Sequence, residues 1–211
     1  MSTTQISDFT GIITGRRSIR KYDPAVKISK EEMTQILTEA TLAPSSVNMQ
    51  PWRFLVIDSA EGKATLAPLA RFNQTQVETS AAVIAVFGDL NNFDYAEEIY
   101  SAAVERGFMP ADVKENQLAR LAGHFSTLPA AANKDTVLID SALASMQLML
   151  VARAHGYDTN PIGGFEKDKI AEAFGMDKDR YVPVMLISIG KALEEGHESV
   201  RLPIETIAQW K

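Results

Sequence analysis

Four cations fall within six residues at Arg16-Arg17-Ser18-Ile19-Arg20-Lys21. In an extended segment side chains alternate, so Arg16, Ser18 and Arg20 share one face. Two guanidinium forks and a hydroxyl on one face suit a phosphate or another delocalised anion. The same residues also describe a solvated charge run.

A second candidate is Pro44-Ser45-Ser46-Val47-Asn48-Met49-Gln50-Pro51-Trp52, in which two prolines frame small polar donors and acceptors. Loops between rigid elements concentrate binding groups. The plainer reading is a helix stop and a turn, with Trp52 in the core. A third is Asn160-Pro161-Ile162-Gly163-Gly164-Phe165, where paired glycines let the backbone approach a flat ligand and present its N–H groups. An ordinary tight turn before a helix has the same composition.

Other chemistries lack their residues. With no Cys, disulfides, thiolate nucleophiles and Cys-ligated metals are excluded. His124, His155 and His197 form no HxxxH or HExxH spacing, and no metal site is expected. Neither GxGxxG nor GxxxxGK[ST] occurs, so a Rossmann site and a P-loop have no support. No G-x-S-x-G elbow occurs, and Ser45-Ser46 has no His nearby, so neither does a hydrolase triad. A net charge of −6 argues against nucleic-acid binding and leaves affinity for phosphate to a local basic cluster.

At 211 residues, 45% hydrophobic and 23% charged, the chain suits one domain, residues 1–211, rather than a rod, a fibre or a disordered tail. The N-terminus lacks the basic start and apolar run of a secretory signal. The most apolar stretch, Val137 to Ala152, contains Asp140 and Gln147 and falls short of the roughly 20 residues a bilayer span needs. A soluble, cytoplasmic protein with no membrane partner is expected.

Periodicity predicts the elements that position these groups. Ile6, Phe9, Ile12 and Ile13 predict a short helix ending near Gly15. Ser29 and Glu32 form a capping box before the stripe Met33, Ile36, Leu37 and Ala40, and Pro44 stops that helix. Trp52–Asp58, Ala81–Phe87 and Val182–Ile189 read as strands, the first two too far apart for a simple hairpin. Helices are expected near Tyr95–Arg106, Ala111–Phe125 and Glu166–Phe174. A long one, about Lys134–His155, is apolar around nearly its whole circumference and should be central and buried, with Met146 and Met149 as core and Gly156 as its stop. His155 should meet the last carbonyls of that helix. The class is α+β with a small sheet.

Taken in order, RRSIRKYD, the capped helix, APSSVNMQPWRFLVI, PIGGF and a final strand leading to an Arg-Leu-Pro tail resemble the FMN-dependent nitroreductase family from about residue 11 to 205. The resemblance implies an α+β homodimer with a small central sheet surrounded by helices. It also implies a C-terminal extension onto the partner subunit and an FMN at each of two interface sites. It assigns Arg16, Ser18 and Arg20, with Arg17 beside them, to the phosphate and the flavin pyrimidine side. Asn73 goes to the pyrimidine edge, with Gln76 where many members carry Lys. Pro44, Ser45, Ser46 and Asn48 would come from the partner chain, against the dimethylbenzene side. Pro161, Ile162, Gly163 and Gly164 would lie against the ring near N5, and Arg201 would pair with the phosphate, with Ser199 replacing a Lys found in some members.

The implied activity is ping-pong NAD(P)H oxidoreduction through bound flavin to nitroaromatics, quinones or similar flat small molecules, with no protein nucleophile or general base. A guanidinium near N1 and O2 would stabilise the charge of a reduced flavin. Tyr95, Phe108 and Phe125 are candidates for the acceptor pocket. Alternatives are a non-catalytic flavin- or nucleotide-binding protein, or the same fold with an ene-reductase, dehalogenase or dehydrogenase reaction. Leu202, Ile204, Ile207 and Trp210 predict a tail that wraps a partner rather than folding on its own sheet.

Overall fold

Strand Ala82–Asp89 is buried at every position, and its side chains divide by period two between two cores. Ala82, Ile84 and Val86 join one core with Met33, Ile36, Leu148 and Ala152. Val83, Ala85 and Phe87 join another with Leu66, Val77 and Ile170. A strand buried on both faces reads as an unbroken apolar run rather than an alternating one.

The computed structural model describes residues 8–211; Ile6 lies outside them. Helices α1 (Phe9–Gly15) and α2 (Lys30–Ala40) precede β1 (Trp52–Ile57). Then come α3 (Ala60–Leu66), α4 (Gln74–Thr79), β2 (Ala82–Asp89), α5 (Ala96–Glu105), α6 (Ala111–Thr127) and α7 (Ala130–Ala154). The chain ends with β3 (Asp158–Ile162), α8 (Lys167–Ala173), β4 (Tyr181–Gly190) and α9 (Ile204–Ile207). The sheet order is β1-β2-β4-β3, antiparallel throughout. Helices α2 and α7 cover one face, and α3, α4 and α8 the other.

Strand β3 was not expected. It is a five-residue edge strand containing Pro161, a position where the missing N–H breaks no interior ladder. The predicted loop is therefore strand as far as Ile162, and only Gly163-Gly164 turn away from the sheet. The capping box is half made: Ser29 Oγ accepts from Glu32 N–H at 3.1 Å. The Glu32 carboxylate instead accepts from the Tyr157 hydroxyl at 2.8 Å. His155 is the C-cap of α7, its backbone N–H donating to Val151 O at 3.0 Å, while its ring Nε2 turns to Glu39 Oε2 at 3.0 Å. Gly156 does end α7, at φ 78°.

By length and composition α7 suffices to cross a bilayer. Its buried stripe, which includes Asp140, Ser141 and Ser145, packs on the sheet and α2. The opposite stripe is bare in the single chain: Ile139, Leu143 and Met146 are 62%, 45% and 43% exposed. The expectation of all-round burial, and of Met146 as core, fails there.

Close packing of α7 on β2 runs through Gly88. A methyl at Gly88 would fall well inside contact distance of Val137 Cγ1, and β-branched Val137 has little freedom to move aside. Gly88→Ala should lower stability by about 1–3 kcal/mol through overpacking, and Val137→Ala in the same chain should restore part of it. Denaturant midpoints of the two proteins check both outcomes.

Candidate functional site

The segment after α1 is extended and lies beside the edge of the sheet. Ser18 bridges Thr159 of β3 in parallel, and Ile19 N–H donates to Thr159 O at 3.2 Å. Ile19 is buried while Ser18 and Arg20 are exposed, so the period-two reading holds. The segment after β4 clamps the other side, through Leu193 N–H to Lys21 O at 3.0 Å and Arg20 N–H to Glu194 Oε1 at 2.6 Å. This pairing fixes where the basic residues stand.

Guanidinium groups gather there. Burial, then the charges of Arg201, Arg17 and Arg153, push the Arg16 guanidinium below its ordinary value. Among the described residues, Arg16 Nη1 is buried without a hydrogen-bond partner, as are Arg153 Nε and Thr159 Oγ1. Arg153 pairs with Asp158 at 2.9 Å, Arg17 caps Thr14 O at 2.7 Å, and Arg201 donates to Ser199 Oγ at 2.7 Å. A buried donor with no acceptor costs free energy, and like charges raise that cost. A dianionic group bound here would relieve both.

Beyond β3, Gly163 and Gly164 lie exposed beside α4. Neither has a positive φ, and a Cβ on Gly163 would meet nothing within 4 Å. Glycine is thus required there neither by the backbone nor by packing within the chain, which leaves a clear flat approach to the main chain. Asn73 Nδ2 donates to Gly164 O at 3.2 Å. Gln76, buried, donates through Nε2 to Asn73 Oδ1 at 3.1 Å, so its amide orients Asn73 and faces inward.

The loop after α2 belongs to a different end of the molecule. Val47, Asn48 and Gln50 all take left-handed backbones, at φ 46°, 59° and 47°, each costing roughly 1–3 kcal/mol for a non-glycine residue. Ser46 N–H donates to Asp140 Oδ2 at 2.9 Å and Gln50 N–H to Ser45 Oγ at 3.0 Å. Tyr100 Oη donates to Val47 O at 3.3 Å. Asp140 and Arg153 are thirteen residues apart on α7, about 20 Å at 1.5 Å per residue. Arg16, Ser18 and Arg20 thus run beside β3, with Arg17 and Arg201 near Arg16; Asn73 and Gln76 join Gly163 and Gly164 just past its Pro161–Ile162 end; and Ser45, Ser46 and Asn48 stand apart, with Asp140. Pro44 lies with Phe9, Leu143 and Met146 along an apolar groove of about 570 Å³.

A second cavity of about 570 Å³ is lined by Asn48, Gln50, Arg53, Tyr95, Arg106 and Phe108, among others. Tyr95 and Phe108 line this cavity, whereas Phe125 lines a smaller one of about 100 Å³ and stacks on Phe93 at 4.7 Å. One wall is an ion network centred on Asp89, which is fully buried. Arg180 binds it bidentately at 2.9 Å, Arg53 Nη2 sits 3.0 Å away, and the Arg53 guanidinium lies 4.5 Å from the Tyr95 ring centroid. Arg153, Asp140 and this network carried no signal in the sequence beyond their charge inside apolar elements.

The nitroreductase family model matches residues 13–191. The chain is 72% identical over 205 residues, 97% of its own length and 98% of the relative's, to "Putative NAD(P)H nitroreductase YdgI" of Bacillus subtilis (strain 168). It is 35% identical to the "CLA biosynthesis enone reductase" of Lactiplantibacillus plantarum, covering 95% and 93% of the two chains. The crystal structure of a "putative nitroreductase in complex with FMN" from Exiguobacterium sibiricum 255-15 superposes with a TM-score of 0.98 at 71% identity, covering 99% of this chain and 100% of that one. The α+β architecture with a long central helix is the one expected. The chain belongs to the nitroreductase family.

Removing Asp89 would strand two guanidiniums that each keep about a quarter of their surface in water. Asp89→Ala should cost about 3 kcal/mol, the low end for a broken buried pair, read as a shift in the urea midpoint.

Proposed function

We propose that this protein is an FMN-dependent NAD(P)H oxidoreductase. Its flavin phosphate is held by Arg16, Arg17, Ser18, Arg20 and Arg201, and its ring lies along Pro161–Gly164 with Asn73 at the pyrimidine edge. The observation that carries this reading is the buried, unpartnered Arg16 Nη1 within a field of guanidiniums, one strand away from a glycine bend that nothing in the chain itself requires. Bound FMN supplies the redox chemistry, accepting a hydride from NAD(P)H and passing it to the acceptor. The protein's contribution is charge and shape. The guanidiniums offset phosphate charge, and the amide chain Gln76–Asn73–Gly164 sets the glycine bend. Gln76 supports Asn73 rather than reaching the flavin.

The working unit in this reading is a homodimer and each chain a single domain. Phe9, Ile13, Leu42, Ile139, Leu143 and Met146 leave an apolar face uncovered on one chain, and Leu202, Ile204, Ile207 and Trp210 are at least half exposed on the tail. That extent of bare apolar surface favours an interface. The roughly 20 Å of helical rise between Asp140, which holds the Ser45–Asn48 loop, and Arg153 among the guanidiniums fits a site completed by the partner's loop. The acceptor is a small flat molecule entering the cavity beside Tyr95 and Phe108, and the protein works in the cytoplasm without nucleic acid, membrane or metal.

Purified protein should be yellow, dimeric by sedimentation, and bleached by NAD(P)H under anaerobic conditions. Arg16→Ala or Arg20→Ala should weaken FMN binding roughly tenfold or more, the equivalent of one charge-assisted hydrogen bond of about 1.5–3 kcal/mol. Fluorescence titration with FMN measures it. A protein that takes up no FMN refutes the reading.

A further inference from the structure

We propose that Asp140 is a positioning residue: its carboxylate, acting through the Ser46 N–H, holds the Ser45–Gln50 loop in the left-handed form that walls the acceptor cavity. The inference rests on the oxidoreductase reading for its functional consequence and on geometry for the hold itself.

Asp140 stands where the buried stripe of α7 would ordinarily carry an apolar residue, between Val137 and Ala144. It is 6% exposed, and no cation pairs with it among the described residues. Its hydrogen bond is the one from Ser46 N–H at 2.9 Å. Asp favours neither a helix interior nor burial. Burial raises its carboxyl above the ordinary range, with the Ser46 bond pulling the other way. A group whose folded pKa is raised detracts from stability once pH climbs past its unfolded value. Asp140 is thus costly where it stands, and the loop is what it touches.

That loop needs holding. Val47 is β-branched and takes φ 46°, ψ 28°, a region such residues avoid. Asn48 and Gln50 follow in the same region, and both line the 570 Å³ cavity. The pins from Ser45 Oγ and Tyr100 reach Gln50 and Val47, whereas Asp140 alone among the described residues ties the loop's first turn to the long helix. Released, the turn relaxes to ordinary backbone and Asn48 leaves the cavity wall, while Gln50 stays held by Arg53 Nη1, which donates to its carbonyl at 2.9 Å.

The test is amide hydrogen exchange of wild type, Asp140→Ala and Asp140→Asn, with steady-state kinetics toward 1,4-benzoquinone. In Asp140→Ala, exchange of residues 46–50 should quicken and KM for the quinone rise, each by roughly tenfold, the loss of one hydrogen bond to a charged group. With FMN kept saturating, kcat should stay within about threefold, since uniform binding of the quinone is what is lost. Asp140→Asn keeps a carbonyl acceptor and should recover most of both. Should Asp140→Ala fail to fold, Ser46→Pro removes the donor instead. Ser45 is already extended at φ −142°, ψ 160°, as a residue before proline requires, and Ser46→Ala is its control with the N–H intact. Ser46→Pro should then reproduce the fast exchange and Ser46→Ala should not. Unchanged exchange at 46–50, an Asn variant no better than Ala, or a fall in kcat at constant KM overturns the proposal. Wild type that binds no FMN overturns the oxidoreductase reading instead, while exchange still decides whether Asp140 holds the loop.

Discussion

Mutual repulsion among Arg16, Arg17, Arg153 and Arg201 is the constraint on which the rest of this structure depends. Folding alone does not gather guanidiniums, because each loses hydration and meets like charge. Here one carboxylate, Asp158, answers one of them, and a buried Nη1 of Arg16 answers to nothing. The gathering is enforced by strand pairing. Ile19 and Tyr22 are buried, and anchoring them along β3 and the segment after β4 fixes Arg16 and Arg17 just before them and Arg20 between them. Apolar burial of alternate residues thus does the positioning, and charge does the recognising.

The same division of labour recurs at the glycine bend and at the acceptor cavity. Ile162 is buried and ends β3, so the two glycines after it are delivered to a fixed point although they pack against nothing. At the cavity, register places Arg53 opposite Phe87 and Tyr181 opposite Asp89, bringing Arg53, Asp89 and Arg180 together from distant parts of the chain. The network holds the Arg53 guanidinium over Tyr95, a stack favoured by the ring's negative face, so one wall of the cavity is rigid. The other wall, Asn48 to Gln50, is strained backbone.

What was legible in the sequence follows from range. Caps, stops and stripes are local: Ser29, Pro44 and Gly156 announced their ends of helices, and the three apolar strands declared themselves by composition. The charged segment and the two polar loops were legible as motifs, and their resemblance to a family supplied roles that spacing could not. Strand β3 escaped because Asp158, Asn160 and Pro161 are turn formers, and only the neighbouring β4 makes a strand of them. Arg153 and Asp140 escaped for a related reason. Each is a charge in a long apolar helix, and what gives it meaning comes from elsewhere in the chain: the Ser46 N–H for Asp140 and the Arg16 guanidinium beside Arg153. The outer stripe of α7 misled in the opposite sense, since Ile139, Leu143 and Met146 look like core until the fold leaves them uncovered.

That uncovered stripe connects the two ends of α7. Asp140 anchors the polar loop near one end and Arg153 joins the guanidiniums near the other, about 20 Å away by helical rise. In the proposed reading a single chain presents two half-sites separated by a rod whose outer face is apolar. Pairing two such rods through that face, in the proposed dimer, would bury Leu143 and Met146 together with the groove lined by Phe9 and Pro44. A two-fold axis across the rods would exchange ends, setting each chain's loop toward the other's charges. The helix that makes the core would then also set the spacing of the sites, so that core packing, oligomerisation and cofactor geometry rest on one element and cannot vary independently.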